Sequence, residues 1–267
     1  MTANGLLENK IAVVVGGGQT PGETIGNGRA TAIQFAREGA RVLVGDRDVG
    51  SAEETVAMIL DEGGEAASAE IDVTVEESVA SFMAAAVDRW GRIDVLHNNV
   101  GVGLAGADAG VEEISADVFD QLVRINLRGM VLTAKHVLPG MRERGSGVII
   151  NISSMAAWKP YPFVGYKTTK AGVIALTEQL AQANARYGIR ANVILPGLMN
   201  TPMAVEPRVS QTMTREEVIA DRDRRVPLGR KMGTAWDVAH AAAFLASDRA
   251  RFITGVALPV DGGASVS

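Results

Sequence analysis

The alternation of short apolar segments with longer segments of helical character constrains the fold of this chain more than any other feature. The short segments are rich in Val, Ile and Leu and are predicted to be strands, with helices between them. Continuous apolar strands separated by helices indicate a parallel sheet that is covered on both faces. The predicted strands are Ile11–Val15, Arg41–Gly45, Ala66–Ile71, Ile93–His97, Val148–Ile152, Ile189–Ile194 and Val256–Pro259, and the predicted helices are Arg29–Glu38, Ser51–Glu62, Val75–Trp90, Ala116–Met141, Gly165–Tyr187 and Thr234–Ser247.

We expect one domain over residues 1–267, because no repeat or linker-like stretch interrupts this alternation. The most irregular part is the 198–226 segment, which has the mixed character of a lid over a substrate. It contains the charged run 221–225. We interpret this run as a solvated helix face, with a site for an anionic substrate as the alternative.

Composition argues against several classes of function. The formal net charge of −5 disfavours a nucleic-acid-binding surface, which needs clustered cations. The chain has no cysteine, and its His, Asp and Glu residues show no metal-ligand spacing, so neither a disulfide nor a metal is expected. The segment Met1–Lys10 is polar, and no apolar run reaches the ~20 residues that span a bilayer. We therefore expect a cytoplasmic protein that does not associate with membranes.

A glycine-rich turn lies between the first predicted strand and the first predicted helix. Gly16-Gly17-Gly18 ends the strand, and Gly26-Asn27-Gly28 opens the helix. Glycines let the backbone approach a pyrophosphate, and the N–H groups of a helix start favour an anion. Asp46 closes the second strand, where a carboxylate can bind a ribose 2′-hydroxyl and repel a 2′-phosphate. Arg47 either softens that preference or faces solvent.

These features define the expected fold class as α/β. We predict a single doubly wound parallel sheet of about seven strands, with helices on both faces, of the Rossmann type. The expected cofactor is NAD, with NADP as the less favoured alternative.

A second pattern concerns proton transfer. Tyr166 and Lys170 are one helical turn apart on one face, and Ser154 precedes them. An ammonium close to a phenol favours the phenolate, which lowers the pKa of the tyrosine. Such a tyrosine can exchange a proton with an alcohol or a carbonyl near neutral pH, while the serine hydroxyl holds the same oxygen.

Together these residues resemble the short-chain dehydrogenase/reductase family, and the resemblance runs along essentially the whole chain. Asn98-Asn99-Val100-Gly101 is similar to the family's Asn-Asn-Ala-Gly segment, with Val in place of Ala. Asn126 resembles the family's catalytic Asn, and the string from Asn151 to Lys170 resembles its Ser and Tyr-x-x-x-Lys motifs. Further similar segments are Asp72-Val73, Pro196–Met203, Pro227–Arg230, Thr254-Gly255 and Val260–Gly263.

The resemblance implies hydride transfer between a nicotinamide and the carbinol carbon of a secondary alcohol or ketone. It implies that Tyr166 is the general acid or base, that Lys170 lowers the pKa of Tyr166 and binds the ribose, and that Ser154 orients the reacting oxygen. Asn126 would organise a water that links Lys170 to solvent. It also implies a homotetramer. The expected cofactor-binding residues are Gly16, Gly26, Asn27, Gly28, Asp46, Arg47, Asp72, Val73, Asn99, Val100, Gly101, Tyr166, Lys170, Pro196, Gly197, Leu198 and Thr201.

The substrate pocket is expected between the segment after Ser154, the 98–104 stretch and the 198–213 stretch. The candidate lining favours a small-molecule substrate that is apolar or alicyclic over a highly charged one. An exposed position is the preferred interpretation for Arg208, with selection of an acidic substrate as the alternative. The candidate lining residues are Trp158, Tyr161, Phe163, Met199 and Met203.

The glycine turn departs from the family pattern because the loop Gly17–Ile25 enlarges it. Either Gly16 or Gly22 makes the first turn. Glu23 would repel a pyrophosphate, so we predict that the loop bulges away from the phosphates. The alternative is that the loop reaches the rim of the substrate pocket.

Two further departures concern single positions. The gap from Ser154 to Tyr166 is one residue shorter than usual in the family, and Ser153 has the usual separation. We prefer Ser154 as the functional serine, because the strand fixes its direction and a loop absorbs a deletion more easily. His97 replaces a common aliphatic residue, and we interpret it as a satisfied histidine at a strand end rather than as a catalytic group.

Two other functions remain open from the sequence. A non-catalytic, dinucleotide-binding regulatory protein would keep the fold, but it would not need Asn126, Ser154, Tyr166 and Lys170 together. An epimerase or dehydratase on this scaffold usually carries a larger C-terminal domain than this length provides. The resemblance therefore favours an NAD-dependent oxidoreductase.

Overall fold

The strands predicted from the apolar segments pair into one parallel sheet. In the computed structural model, residues 5–103 and 106–267 are described, and they form strands β1 Ile11–Val15, β2 Arg41–Asp46, β3 Glu65–Glu70, β4 Val95–Asn98, β5 Gly147–Ile152, β6 Ile189–Pro196 and β7 Ala257–Val260. The strand order is β3-β2-β1-β4-β5-β6-β7, and all neighbours are parallel. This arrangement confirms the predicted doubly wound sheet of the Rossmann type.

Helices cover both faces of the sheet. The described helices are α1 Asn27–Arg37, α2 Val49–Asp61, α3 Glu76–Trp90, α4 Ala116–Val123, α5 Gly129–Arg144, α6 Val164–Asn184, α7 Pro202–Val205, α8 Arg215–Asp223 and α9 Ala235–Ala246. Apolar residues of α1, α2 and α9 pack on one face, and those of α3, α5 and α6 pack on the other. Fully buried Phe35 and Phe82 anchor the two layers, and each contributes about 1.5–3 kcal/mol by burial.

The chain reverses its direction of winding beside β1. Val15, the last residue of β1, pairs with Gly45 of β2 on one side and with Asn98 of β4 on the other. In sheets of this kind, ligands bind outside the carboxyl ends of the strands at the point of reversal. The fold therefore places a crevice where the glycine-rich turn, Asp46 and the segment after Asn98 meet.

The predicted helix Ala116–Met141 is not continuous. The structure has α4, then one turn of π-helix at Arg124–Arg128, and then α5. The sequence prediction assumed one α-helical period along the whole segment, so it did not place the extra residue of the π turn. The π turn holds Asn126, whose side chain is fully buried. A change of helix type at a candidate catalytic residue is a common functional device.

The 198–226 segment contains two short helices, α7 and α8, joined by a 3₁₀ turn at Glu206–Arg208. An isolated antiparallel bridge between Ser210 and Met213 lies between the turn and α8. Of the helices in the described part of the chain, none is both long and apolar enough to cross a membrane.

Candidate active site

Helix α6 carries Tyr166 and Lys170, and a carboxylate from another part of the chain fixes its first turn. The backbone N–H groups of Gly165 and Tyr166 donate to Asp108 at 3.0 and 2.7 Å. Phe163, at the N-cap of α6, offers no side-chain acceptor, so buried Asp108 replaces the usual local cap. Sequence reasoning missed Asp108, because nothing in the local pattern connects it to a helix more than 50 residues later.

Lys170 is buried beneath the active-site tyrosine. Its Nζ donates to the carbonyl oxygen of Ile152 at 2.9 Å and lies 5.8 Å from the centroid of the Tyr166 ring. Burial lowers the pKa of Lys170 to about 8. The backbone of Gly101 passes so close that a Cβ there would lie 2.5 Å from Nζ. The residue at position 101 must therefore be small for Lys170 to occupy this place.

Tyr166 does not have the lowered pKa that the sequence predicts. Burial raises the pKa of Tyr166 to about 12, and the hydrogen-bonding hydroxyl of Ser154 opposes that rise. In this structure burial of the phenol is the main cause of that rise, and the ammonium of Lys170 donates to the Ile152 carbonyl. A lowering by Lys170 together with the positive nicotinamide ring of the oxidised cofactor stays a prediction. The phenol is therefore protonated at neutral pH.

The two neighbouring serines have different partners. Ser153 is buried, and its Oγ donates to the carbonyl oxygen of Lys170 at 2.7 Å. Ser154 accepts from the N–H of Ala156 at 3.1 Å. A hydrogen bond between its hydroxyl and Tyr166 lowers the pKa of the tyrosine. The structure thus brings Ser154 to the phenol and leaves Ser153 in a bond between β5 and α6.

Lys167 holds the loop that follows Ser154 against α6. Its Nζ donates to three backbone carbonyl oxygens of this loop, at 3.1, 3.3 and 2.6 Å. Sequence reasoning did not give this lysine a role. The three acceptors are Ala156, Ala157 and Lys159.

Asn126 links the segment after β4 to the catalytic helix. Its Oδ1 accepts from the N–H of Val102 at 2.8 Å, and its Nδ2 donates to the carbonyl of Val102 at 2.9 Å. A longer bond of 3.3 Å joins Nδ2 to Thr169 of α6. In this structure the side chain therefore positions backbone. Organisation of a water beside Lys170 stays a prediction.

A buried polar network supports the carboxyl ends of β4 and β5. Asn98 donates to Asn151 at 2.9 Å and accepts from Thr133 at 2.9 Å. Asn151 in turn donates to Thr177 of α6 at 2.9 Å. A satisfied network of this kind fixes the strand ends relative to the catalytic helix.

Gly16 makes the first turn of the glycine-rich crevice. It has φ +84°, a conformation that favours glycine, and its N–H donates to the Gly45 carbonyl at 2.7 Å. A Cβ on Gly28 would lie 1.9 Å from the Gly16 carbonyl oxygen, which also accepts from Asn99 at 2.8 Å. The open choice between Gly16 and Gly22 is thereby resolved in favour of Gly16.

The acid after β2 lies beside this turn. Asp46 accepts from the N–H of Gly18 at 3.0 Å and from that of Asp48 at 3.2 Å. Arg47 is exposed. Asp72 follows β3, and a hydrogen bond from Thr74 is the main cause of its lowered pKa, with the charge of Arg47 as a minor cause.

The other expected cofactor residues border the same crevice or its wall. Val73 packs against Gly129, Val100 packs against Gly16, and Gly26 is the N-cap of α1. After β6, the N–H of Gly197 donates to Val260 at 2.9 Å, and Thr201 is the buried N-cap of α7.

The crevice meets the requirements of a dinucleotide. The N-cap of α1 is a glycine without a side-chain cap, so the helix start presents free N–H groups to an anion. Three buried polar atoms near the crevice have no hydrogen-bond partner within the described residues, and such groups favour a polar ligand. They are Thr24 Oγ1, Asn27 Oδ1 and Asn200 Oδ1.

The enlarged loop Gly17–Ile25 does not bulge away from the site. Gln19 closes its base by accepting from the N–H of Gly26 at 2.9 Å, and a Cβ on Gly22 would lie 2.8 Å from Pro202 of α7. Glu23 forms an ion pair of 3.0 Å with Arg215 of α8. The prediction was wrong because Arg215 compensates the carboxylate, and the alternative, a contact with the pocket segment, is the observed arrangement.

The candidate pocket residues divide into two groups. Tyr161 lies 5.6 Å from Tyr166 and 5.5 Å from Phe163, measured between ring centroids, and Trp158 and Met203 are exposed. Met199 is instead buried in the hydrophobic core below the sheet. An isolated parallel bridge pairs it with Gly233, and its burial argues against a place in the pocket wall. Leu104, in the predicted wall 98–104, lies outside the described residues.

His97 is not the satisfied histidine that the sequence predicts. It is fully buried in β4, and neither ring nitrogen has a hydrogen-bond partner among the described residues. Its ring packs edge-on against Phe35 at 5.8 Å. Burial lowers the pKa of His97 to about 3, so the imidazole is neutral and belongs to the core.

Comparisons with known proteins agree with this geometry. A family model described as enoyl-(acyl carrier protein) reductase matches residues 23–265. The 2,5-dichloro-2,5-cyclohexadiene-1,4-diol dehydrogenase of Sphingobium indicum is 37% identical over 97% of this chain and 98% of the relative. Levodione reductase of Leifsonia aquatica is 34% identical over 97% of this chain and 95% of the relative. A crystal structure of a short-chain dehydrogenase/reductase from Burkholderia xenovorans has a TM-score of 0.89 at 38% identity, covering 98% of this chain and 99% of that chain.

The sheet order, the glycine turn at its point of reversal and the Tyr166–Lys170 pair define the protein as an oxidoreductase of the dinucleotide-binding α/β class. The chain belongs to the short-chain dehydrogenase/reductase family. Members of this family use NAD(H) or NADP(H), act on small molecules and are often oligomeric.

Proposed function

We propose that this protein is an NAD-dependent oxidoreductase that interconverts a secondary alcohol and a ketone with an apolar or alicyclic body. One observation carries the proposal: the hydroxyl-bearing Tyr166 and Ser154 lie together above buried Lys170, beside the glycine crevice. The aromatic neighbours Tyr161 and Phe163 support an apolar substrate body. A relative that acts on a cyclohexadiene diol supports an alicyclic one.

The residues that would hold the cofactor follow from the crevice. The backbone at Gly16, Gly26 and Gly28 would meet the pyrophosphate, because Cβ atoms are excluded at Gly16 and Gly28 and the start of α1 at Gly26 has no side-chain cap. Asp46 would bind the ribose hydroxyls of the adenosine half, and its charge favours NAD over NADP. The exposed Arg47 does not pair with Asp46 in the described structure.

The nicotinamide, when bound, supplies the hydride acceptor or donor. The chain itself handles the proton and the reacting oxygen. In the reductive direction, Tyr166 donates its phenolic proton to the carbonyl oxygen, and the raised pKa keeps that proton available at neutral pH. In the oxidative direction, the phenol must first lose its proton, which the charge of Lys170 favours. Ser154 holds the reacting oxygen in place.

The domain and assembly follow from the same proposal. We propose one catalytic domain in which the 198–226 segment covers the substrate, and a homotetramer as the working form. The enlarged loop contacts α7 and α8. This contact supports a 198–226 segment whose position depends on cofactor binding in the crevice.

The replacement of Tyr166 by Phe tests the proposed function. We expect Tyr166→Phe to lower kcat by about 10²–10⁴-fold, because the proton carrier is lost, while NAD binding is retained. Turnover is measured as absorbance of the reduced nicotinamide with a panel of secondary alcohols, and cofactor binding is measured by titration calorimetry.

Tyr187→Phe is a matched control, since Tyr187 lies beyond the far end of α6 and its hydroxyl accepts a hydrogen bond from the exposed Arg186. It should have wild-type kcat. Substantial activity in Tyr166→Phe would remove Tyr166 from the proposed role.

A further inference from the structure

The charged run 221–225 does not lie wholly on a solvated helix face. Arg224 and Arg225 are exposed, and both bond to Asp221. Arg222 follows Asp221 in the sequence and precedes these two arginines. It is buried, with 9% of its surface exposed. The interpretation as a solvated face is therefore wrong for Arg222, because a short helix packed on a protein turns some residues of any run inward.

The buried guanidinium of Arg222 meets little that compensates its charge. Its Nε donates to the sulfur of Met232 at 3.3 Å, and a thioether is a weak acceptor. In the part of the chain that the structure describes, no carboxylate lies within ion-pair distance of it. Asp221 is engaged by its exposed arginines, and Asp223 accepts from the N–H of Met232 at 2.8 Å.

An arginine of this kind is costly to the fold. A buried cation without a partner costs several kcal/mol. Burial lowers the pKa of Arg222 to about 10, repulsion from Arg208 and Arg225 adds to the effect, and attraction to Asp221 and Tyr161 opposes it. Methionine or leucine at this helical position would avoid the cost. Sequences that break such a rule usually do so at functional sites.

Tyr161 connects Arg222 to the active site. Burial raises the pKa of Tyr161, the positive charges of Arg208 and Arg222 oppose that rise, and the charge of Asp108 adds to it. The ring of Tyr161 lies 5.6 Å from the ring of Tyr166, centroid to centroid. Two cations of the 198–226 segment thus act on the aromatic wall beside the proton carrier.

The chemistry of the missing partner follows from the donors. A guanidinium binds a carboxylate through two parallel N–H···O bonds, and it does so most strongly where water is excluded. Arg208 is exposed, and one of its nitrogens already donates to the carbonyl of Ala204 at 2.6 Å. Among the described residues, the guanidinium of Arg222 has no carboxylate partner, so it matches one carboxylate.

We propose that Arg222 binds a carboxylate of the substrate, with Arg208 adding positive charge at the rim. The substrate is then a secondary alcohol or ketone with an apolar or alicyclic body and a carboxylate at some distance from the reacting carbon. This inference rests on the proposed function, because it assigns the substrate class of that same site.

A matched set of substrates tests the inference. The acid 3-hydroxycyclohexanecarboxylate, its methyl ester and cyclohexanol are compared by kcat/KM with NAD. We expect the wild-type protein to prefer the acid to the ester by about tenfold or more, because the ester cannot compensate the buried cation. Arg222→Met should abolish this preference mainly through KM, and Arg222→Lys should retain part of it. Arg224→Met, an exposed change on the same helix, should leave it unchanged.

A binding measurement makes the test independent of turnover. Cyclohexanecarboxylate and cyclohexanecarboxamide are titrated into wild-type protein and Arg222→Met in the presence of NADH. We expect the carboxylate to bind the wild-type protein at least about tenfold more tightly than the amide, and we expect equal binding of both to Arg222→Met. Equal binding to the wild-type protein would overturn the inference.

Stability separates a ligand-binding role from a structural one. If Arg222 binds a substrate anion and does not stabilise the fold, Arg222→Met should have a melting temperature equal to or above that of the wild-type protein without ligand. A variant that is clearly destabilised or fails to fold would show that Arg222 supports the fold, and the inference would be lost.

The failures of the two proposals are distinguishable. If no alcohol is oxidised but the carboxylate still binds in the Arg222-dependent way, the proposed function fails and the anion site stands. If cyclohexanol and the ester are oxidised as well as the acid, and Arg222→Met affects all three alike, the oxidoreductase function stands and the carboxylate inference fails.

Discussion

The catalytic helix α6 and the 198–226 segment border the same crevice, but they differ in how fully their polar groups are hydrogen-bonded. On α6, the N–H of Tyr166 and the ammonium groups of Lys167 and Lys170 all have hydrogen-bond partners within the protein. On α8, the guanidinium of Arg222 lacks an acidic partner, and one nitrogen of Arg215 is buried without an acceptor, both judged within the described residues.

The difference shows how the labour is divided. Under the proposed function, the groups that carry out the chemistry are held by satisfied bonds, so they need no rearrangement when the substrate arrives. Under the proposal for Arg222, a group that selects the substrate has no acidic partner in the described protein, and the ligand supplies one. Exposed Met203, Val209 and Met213 add an adaptable apolar surface to the same segment.

After Tyr166, the largest effect is expected from Ser154. Ser154→Ala should lower kcat by about 10²–10³-fold, because the group that holds the reacting oxygen is lost. Ser153→Ala should keep kcat near the wild-type value and lower the free energy of unfolding by about 1 kcal/mol, because it removes the bond to the Lys170 carbonyl. Steady-state kinetics and urea unfolding on both variants check this. The reverse pattern would make Ser153 the functional serine.

Asp108 tests whether the catalytic helix depends on its long-range cap. Asp108→Ala should lower kcat about tenfold and destabilise the protein by about 1–2 kcal/mol, because two N–H groups at Tyr166 and Gly165 lose their acceptor. Asp108→Asn should restore only part of both, since its single amide oxygen can accept from one of the two N–H groups and its NH2 group faces the other. Exposed Asp120 provides the control Asp120→Ala.

A purely structural cap would give a different result for Asp108. If Asp108→Ala unfolds more easily but keeps its kcat and its pH profile, then Asp108 stabilises the helix without positioning Tyr166. The comparison between a preorganised helix and an adaptable segment would then be weaker.

A change at His97 should alter the stability of the protein without altering catalysis by α6 or substrate selection by the 198–226 segment. Its folded-state pKa lies below its ordinary value of 6.5, so the unfolded chain binds a proton more readily as the pH falls below that value. Stability is therefore fully present above the ordinary pKa and declines towards acid, by up to about 1.4 kcal/mol per pH unit.

The variant His97→Leu checks this sign. Between about pH 7.5 and about pH 5.5, its free energy of unfolding should fall by about 1 kcal/mol less than that of the wild-type protein. Urea unfolding at both pH values measures the difference, and kcat at neutral pH should be unchanged. Equal acid sensitivity would mean that His97 gains a proton in the folded state.

The smallest effect is expected from the contact between the enlarged loop and the 198–226 segment. Glu23 is mostly exposed, so its ion pair with Arg215 is worth about 1 kcal/mol or less. Glu23→Gln should change KM about two- to fivefold without changing kcat, and high salt should remove the difference from the wild-type protein. Exposed Glu53 provides the control Glu53→Gln. An unchanged KM at low salt would show that the loop and the segment act independently.

Much of the fold was predictable because its signals are local. Strand and helix character depend on apolar spacing, and a glycine turn between a strand and a helix needs no distant partner. The seven strands therefore appear close to their predicted positions. The π turn at Arg124–Arg128 escaped prediction, because a single α-helical period was assumed along the whole segment.

The site was predictable only in part. Spacing on one helix brings Tyr166 and Lys170 together, but it cannot show that the ammonium of Lys170 bonds to Ile152 or that burial dominates the pKa of Tyr166. Met199 was assigned to the pocket from its position in the chain, whereas its side chain is buried in the hydrophobic core.

The amino-acid sequence by itself determined the parallel sheet, the nucleotide-binding turn and the set of residues available for proton transfer, since all three depend on residue type and short-range spacing. Only the tertiary structure decided that Asp108 caps the catalytic helix, that Glu23 reaches Arg215 and that Arg222 is buried. Those relations join residues far apart in the chain, and burial and charge compensation take effect only when the folded chain brings them together.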